Sequence, residues 1–130
     1  MDAALPIVRV VTSRSDGDCV IVALAMYLGL SYEDVLAAAA DVIGPNVHHE
    51  GMWTKQIVKT AKTLGTGLTK KRKWDIETSN GILVLFNAKE DTHVVLLCQG
   101  MIIDCDGTIW EPDVYFSYSK YNPTLLLTHK

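Results

Sequence analysis

Hydrophobic positions along the chain change their spacing near residue 67. From Cys19 to Leu28 nearly every residue is apolar, and Gly29 follows as a stop. A helix apolar on all its faces runs through the middle of a domain rather than along its surface. Ser31-Tyr32-Glu33-Asp34 carries a capping pattern, and Val35 to Ile43 continues a second helix whose alanines allow it to pack closely, as a hairpin, on the first. Gly44 to Gly51 is a loop rich in breakers. Trp53 to Leu64 then places Ile57, Ala61 and Leu64 on one side and Lys55, Lys59 and Lys62 elsewhere, which predicts a third helix ended by Gly65. Before the first helix, Ile7 to Thr12 reads as a short strand or an extended lead-in. After Gly67 the apolar residues come in short runs. These predict a basic strand or edge at Leu68 to Trp74, strands at Gly81 to Phe86, His93 to Cys98 and Met101 to Cys105, and a last one at Thr124 to Thr128. Helices followed by mainly sequential strands give an α+β fold, N-terminal helices packed on a C-terminal antiparallel β-sheet.

One turn fixes a register. Gln99-Gly100 separates two strand runs, and a two-residue loop with glycine second suits a tight hairpin. Cys98 then faces Met101, Val95 faces Asp104 and His93 faces Asp106. Because strand side chains alternate, His93 shares a face with both Asp104 and Asp106, one diagonal to it and one opposite. Cys98 and Cys105 fall on the other face in this register and read as structural.

Length and charge narrow the classes. The chain has 130 residues and a net charge of −3, so residues 1–130 are expected to form a single domain, with no basic field drawing it to nucleic acid or to an acidic membrane surface. The run Cys19 to Leu30 is too short to span a bilayer, and Met1 to Pro6 lacks the basic and then apolar pattern of a secretory signal. A soluble cytoplasmic protein without membrane contact is the expectation. Three widely spaced cysteines with no CxxC pair argue against a disulfide framework or a zinc site, so no metal and no cofactor is expected. His48-His49-Glu50 reads as a solvated loop or a lid over Cys19. Lys70-Lys71-Arg72-Lys73 reads as protection of an edge strand, not as a nucleic-acid site.

Cys19 stands where a polar loop enters an apolar helix. First-turn N–H groups lack intrahelical partners there, the helix dipole is positive, and such positions favour thiolates. Free cysteine is also among the most buried residue types, so core packing is the competing reading. A thiol nucleophile needs a base in hydrogen-bond reach and a third group to orient the base, and Cys19, His93 and an aspartate on the next strand supply those three types.

The order Asp18-Cys19 opening the helix DCVIVALAMYLGLSYEDVL, then Ala-Lys-Thr-Leu-Gly, Gly-Ile-Leu-Val-Leu, Thr-His-Val-Val-Leu-Leu and Met-Ile-Ile-Asp-Cys-Asp-Gly, resembles papain-like cysteine peptidases. It is most similar to the compact branch of bacteriocin-processing, double-glycine-leader peptidases and small phage or bacterial relatives. The resemblance covers roughly residues 10 to 110. It implies a cysteine-dependent acyl hydrolase, a peptidase or isopeptidase, acting on a peptide or protein with Cys19 as nucleophile, His93 as base and Asp104 as orienter. Cys105 stands where that family often has proline after the aspartate. The family also has a glutamine about six residues before the cysteine that helps to stabilise the oxyanion, and this chain has Ser13 there. Losing one such donor costs about 10²–10³ in kcat. Either Ser13, Ser15 or Arg14 substitutes, or the fold serves as a weak or inactive binding or inhibitory module, of the kind a phage would encode for action in the host cytoplasm. Asp16, Asp18, Asp106 and Trp110 complete the candidates for lining the site.

Overall fold

Seven of the ten residues of helix α1, Cys19–Leu28, are buried, the unbroken run Val20 to Met26. This is the central helix that its all-round apolar sequence predicts. In the computed structural model, which describes residues 10–89 and 91–130, α1 is followed by α2 (Tyr32–Val42), α3 (Val47–Glu50) and α4 (Thr54–Thr63). Then come β1 (Leu68–Lys71), β2 (Gly81–Phe86), β3 (Thr92–Cys98), β4 (Met101–Ile103), β5 (Ile109–Trp110), α5 (Pro112–Ser119) and β6 (Asn122–His129). Each helix entry has its own chemistry. Ser31 Oγ accepts the Asp34 N–H at the start of α2, as the capping pattern predicts. At α4 the Gln56 side chain reaches back to the Trp53 N–H, and α5 begins with Pro112, whose missing N–H costs nothing in a first turn.

The six strands form one sheet in the order β1-β6-β2-β3-β4-β5, every neighbouring pair antiparallel. Alternation sorts its residues onto two faces. Val84, Val94, Leu96, Leu125 and Leu127 pack with α1, α2 and α4 in the main core. Leu83, Leu85, Val95, Leu97 and Leu126 form a smaller core with Ile102 and with Tyr115 from α5, against which Phe116 packs. The Gln99-Gly100 turn has both residues at positive φ, 52° and 79°, as a two-residue hairpin of matching twist requires. The pairs Cys98 with Met101, Leu97 with Ile102 and Leu96 with Ile103 follow the register read from the sequence.

Several elements differ from expectation. The proposed lead-in lies partly outside the described residues, at 7–9, and residues 10–12 are irregular. β1 stops at Lys71 instead of Trp74. The loop after α2 contains the short helix α3, whose His48 carbonyl accepts the Gly17 N–H, so this segment is docked on the entry to α1 and is not a free solvated loop. The stretch between β4 and β6, which carries no strong periodicity, forms β5 and α5, and β6 inserts between β1 and β2.

Candidate active site

A cleft of about 480 Å³ lies between the start of α1, the α3–α4 segment and the end of the sheet. Cys19, the first residue of α1, opens onto it, and so do His93 at the second position of β3, Cys105 and Tyr121. Its far wall is mainly apolar, built from Met52, Trp53, Ile57, Val84 and Phe86. Trp53 is 76% exposed and Phe86 40%, large apolar groups left on the surface at the mouth of the cleft.

Asp18 explains how the loop before α1 is shaped. As the residue preceding the helix it has the composition of a cap, yet its side chain makes no capping bond. The carboxylate turns back and is 1% exposed. It accepts the Ser13 hydroxyl at 2.5 Å, the Arg14 N–H at 2.8 Å, the Ser15 N–H at 3.0 Å and the Tyr32 hydroxyl at 2.7 Å. Burial opposes its charge, but these bonds outweigh burial and hold the carboxyl below the usual carboxylate range. Burial, and then Asp18 itself, push the Tyr32 hydroxyl up to about 12. The loop is therefore tied to a buried anion, and the first turn of α1 is left uncapped beside Cys19, with N–H groups available to a developing negative charge.

His93 Nε2 donates to Asp104 Oδ1 at 2.8 Å, and both side chains are 18% exposed. The ring faces the same cleft as the Cys19 side chain, which is among the groups that act on its charge. Burial alone would lower the imidazole pKa. Bonding to Asp104 and Cys19, with their charges, reverses this and raises it to about 9. Tyr121 stacks on the ring with centroids 5.4 Å apart. Asp104 Oδ1 also accepts the Cys105 N–H at 2.7 Å. Against the cost of burial, these partners depress the Asp104 pKa.

The remaining candidates divide. Ser13, Ser15, Asp16 and Asp18 line the cleft beside Cys19. The one proton of the Ser13 hydroxyl is taken within the loop, between Asp18 and the Ser15 carbonyl 2.7 Å away. Arg14 turns outward to an ion pair with Glu33 and lies over the Tyr32 ring. Asp16 accepts from His49 Nδ1 at 2.8 Å. Asp106 is not opposite His93, because the β3–β4 ladder ends at Ile103; its carboxylate accepts the N–H and hydroxyl of Thr108 within its own turn. Trp110 lies with the second core, its Nε1–H given to Thr108 and its ring stacked on Tyr118, and does not line the cleft.

Cys105 departs furthest from expectation. Asp104 N–H donates to the Thr108 carbonyl and Gly107 N–H to the Asp104 carbonyl, so the chain leaves strand geometry and adjacent side chains no longer point apart. Cys105 therefore lines the cleft, its Sγ within 4.8 Å of donor atoms of both His93 and Asp104. Burial, then the neighbouring charge of Asp104, push its thiol up to about 12. Tyr115 and Tyr121, absent from the sequence reading, are brought to the site by α5 and the approach to β6. The Glu111-Pro112-Asp113 helix start was the available signal for them.

No family model and no curated protein matches the chain. Among solved structures, the crystal structure of the peptidase domain of Streptococcus mutans ComA matches with a TM-score of 0.58 and 18% identity, over 92% of this chain and 98% of that one. The fold resembles that of the ComA peptidase domain: α+β, with N-terminal helices beginning at Cys19 packed on a six-stranded antiparallel sheet. None of the helices among the described residues is long and apolar enough to cross a membrane.

Proposed function

We propose that the chain is a cysteine-dependent acyl hydrolase acting on a peptide or protein. Cys19 attacks the carbonyl carbon, and His93 takes the thiol proton and returns it to the leaving amine. Asp104 holds the imidazole by its Nε2–H, which leaves Nδ1 for Cys19. The acyl–Cys19 intermediate is then hydrolysed by water activated by His93, restoring thiol and base. The uncapped first turn of α1, with the Cys19 N–H foremost, receives the oxyanion. The observation that carries this reading is a single imidazole bonded to Asp104 and lining the same cleft as Cys19 at the start of α1.

Iodoacetamide labelling of the reduced protein, mapped by mass spectrometry, tests the nucleophile. Cys19 is expected to react fastest of the three thiols, and Cys19→Ala and His93→Ala to lose that fast phase. Equal labelling of the Cys19→Ala protein would sink the proposal. A second reading, a binding or inhibitory module on the same fold, is favoured by Ser13, whose hydroxyl is committed to the loop. Turnover of p-nitrophenyl acetate separates the two: repeated release of nitrophenol dependent on Cys19 supports hydrolysis, whereas fast alkylation without turnover supports the binding module.

A further inference from the structure

We propose that His93, Asp104 and Cys105 form a site for a thiophilic divalent cation, Zn²⁺ or its analogues, whose occupancy blocks the cleft at Cys19. The binding half of this proposal stands without any catalytic assignment; the blocking half rests on reading Cys19 and His93 as a reactive pair.

A nitrogen of His93, a carboxylate oxygen of Asp104 and Sγ of Cys105 all lie within 4.8 Å of one another. Bonds of roughly 2.0–2.2 Å to nitrogen and oxygen and 2.3 Å to sulfur separate tetrahedral ligands by about 3.3–3.7 Å, so side-chain shifts of about 1 Å bring the three donors to that spacing, His93 and Asp104 parting from their 2.8 Å bond. The donors are partly buried and already supported from outside. Asp104 is held by the Cys105 N–H and His93 by the Tyr121 ring, the kind of outer contact that orients metal ligands. One sulfur, one imidazole and one carboxylate suit Zn²⁺ or Co²⁺ and suit Mg²⁺ and Ca²⁺ poorly. Three protein ligands leave a fourth position toward the cleft, where Cys19 lies. Hydrolysis as proposed makes no use of the Cys105 sulfur.

A cation bound here displaces two protons to solvent, the one between His93 and Asp104 and the thiol proton of Cys105, which the metal must draw off against the burial that favours the neutral thiol. It thereby removes both the base and its orienter from Cys19.

Co²⁺ titrated into the reduced, metal-free chain provides the probe, because cobalt bound to a thiolate has a charge-transfer absorption. The band is expected in the wild type, to be displaced by Zn²⁺, to persist in Cys98→Ala and to disappear in Cys105→Ala and His93→Ala. Cys105→Ser serves as a second variant if the alanine protein fails to fold, judged by circular dichroism. Zn²⁺ should also slow iodoacetamide alkylation of Cys19, and the Zn²⁺ concentration needed should rise roughly tenfold or more when Cys105 is replaced. No band in the wild type, or a band unchanged by replacement of Cys105, overturns the proposal. The cobalt spectrum requires no turnover, so a failure of hydrolysis leaves this result standing, and the absence of a band leaves the hydrolytic reading standing.

Discussion

His93 sits among groups that favour the charged ring, first Asp104 at 2.8 Å and then the Cys19 thiol that shares its cleft. Its pKa of about 9, against an ordinary 6.5, is set by these contacts in opposition to burial. Removing either partner must therefore lower it. Following the His93 ring by NMR as a function of pH should give a midpoint near 9 in the wild type and lower ones in Cys19→Ala and Asp104→Asn. An unmoved midpoint in Cys19→Ala would mean that the thiol does not interact with the ring. The same shift bears on stability. A folded-state pKa raised above the unfolded value contributes fully below about pH 6.5 and is lost as pH rises through about 9, so denaturation midpoints should fall across that window and His93→Gln should flatten the fall. At this scale the sequence was informative where regular geometry applied. The hairpin pairs as read as far as Leu96 with Ile103, and just beyond that last pair His93 and Asp104 meet at 2.8 Å, with the ladder already ended at Asp104. The register failed for Asp106 and Cys105, two and one residues further on, because alternation has no meaning in a turn whose shape is set by the hydrogen bonds of Asp104 and Thr108.

The α3 segment shows how a short element positions a loop. Gly17 N–H donates to the His48 carbonyl at 3.1 Å, and His49 Nδ1 to Asp16. A Cβ built on Gly17 would lie 2.2 Å from the His49 carbonyl oxygen and 2.4 Å from its carbon, backbone atoms that cannot swing aside as a side-chain end would. Gly17 is thus required by close approach, two residues before Cys19. Gly17→Ala should cost about 1–3 kcal/mol as an overpacking change. It should also push α3 away from the entry to α1, slowing the alkylation of Cys19. A denaturant midpoint equal to that of the wild type would show that the contact is not tight in solution. Helices long enough to show a period, α1, α2 and α4, were legible together with their stops. A four-residue helix such as α3 has no period to read, and its histidines looked like loop residues because what orders them is the backbone of a distant segment.

Across the whole molecule the decisive event is the return of β6. Adjacent runs in the sequence pair as adjacent strands through β2, β3 and β4, so that part of the sheet could be read in order, whereas the two-residue β5 had no run to announce it. The last strand instead passes between β1 and β2, with Leu126 paired to Lys71 on one side and Leu83 on the other. Local pattern does not specify such a partner choice. It goes with Leu125, Leu126 and Leu127 being buried alternately on the two faces, in the main core and the smaller one, beneath the layers that cover both. The fit is close, since a Cβ on Gly81 would meet the Leu127 carbonyl oxygen at 2.3 Å. An interior strand should open only when the domain unfolds, whereas edge strands fray. In native-state hydrogen exchange the amides of Leu125 to Leu127 are expected to be as protected as those of Leu83 to Leu85 and Val94 to Leu97. Those of β1 and β5, at the two edges, should exchange faster. If residues 125–127 exchanged with the edges while β2 and β3 stayed protected, β6 would be an appended strand, and the sheet that presents His93 to Cys19 would be held by β2, β3 and β4 without it.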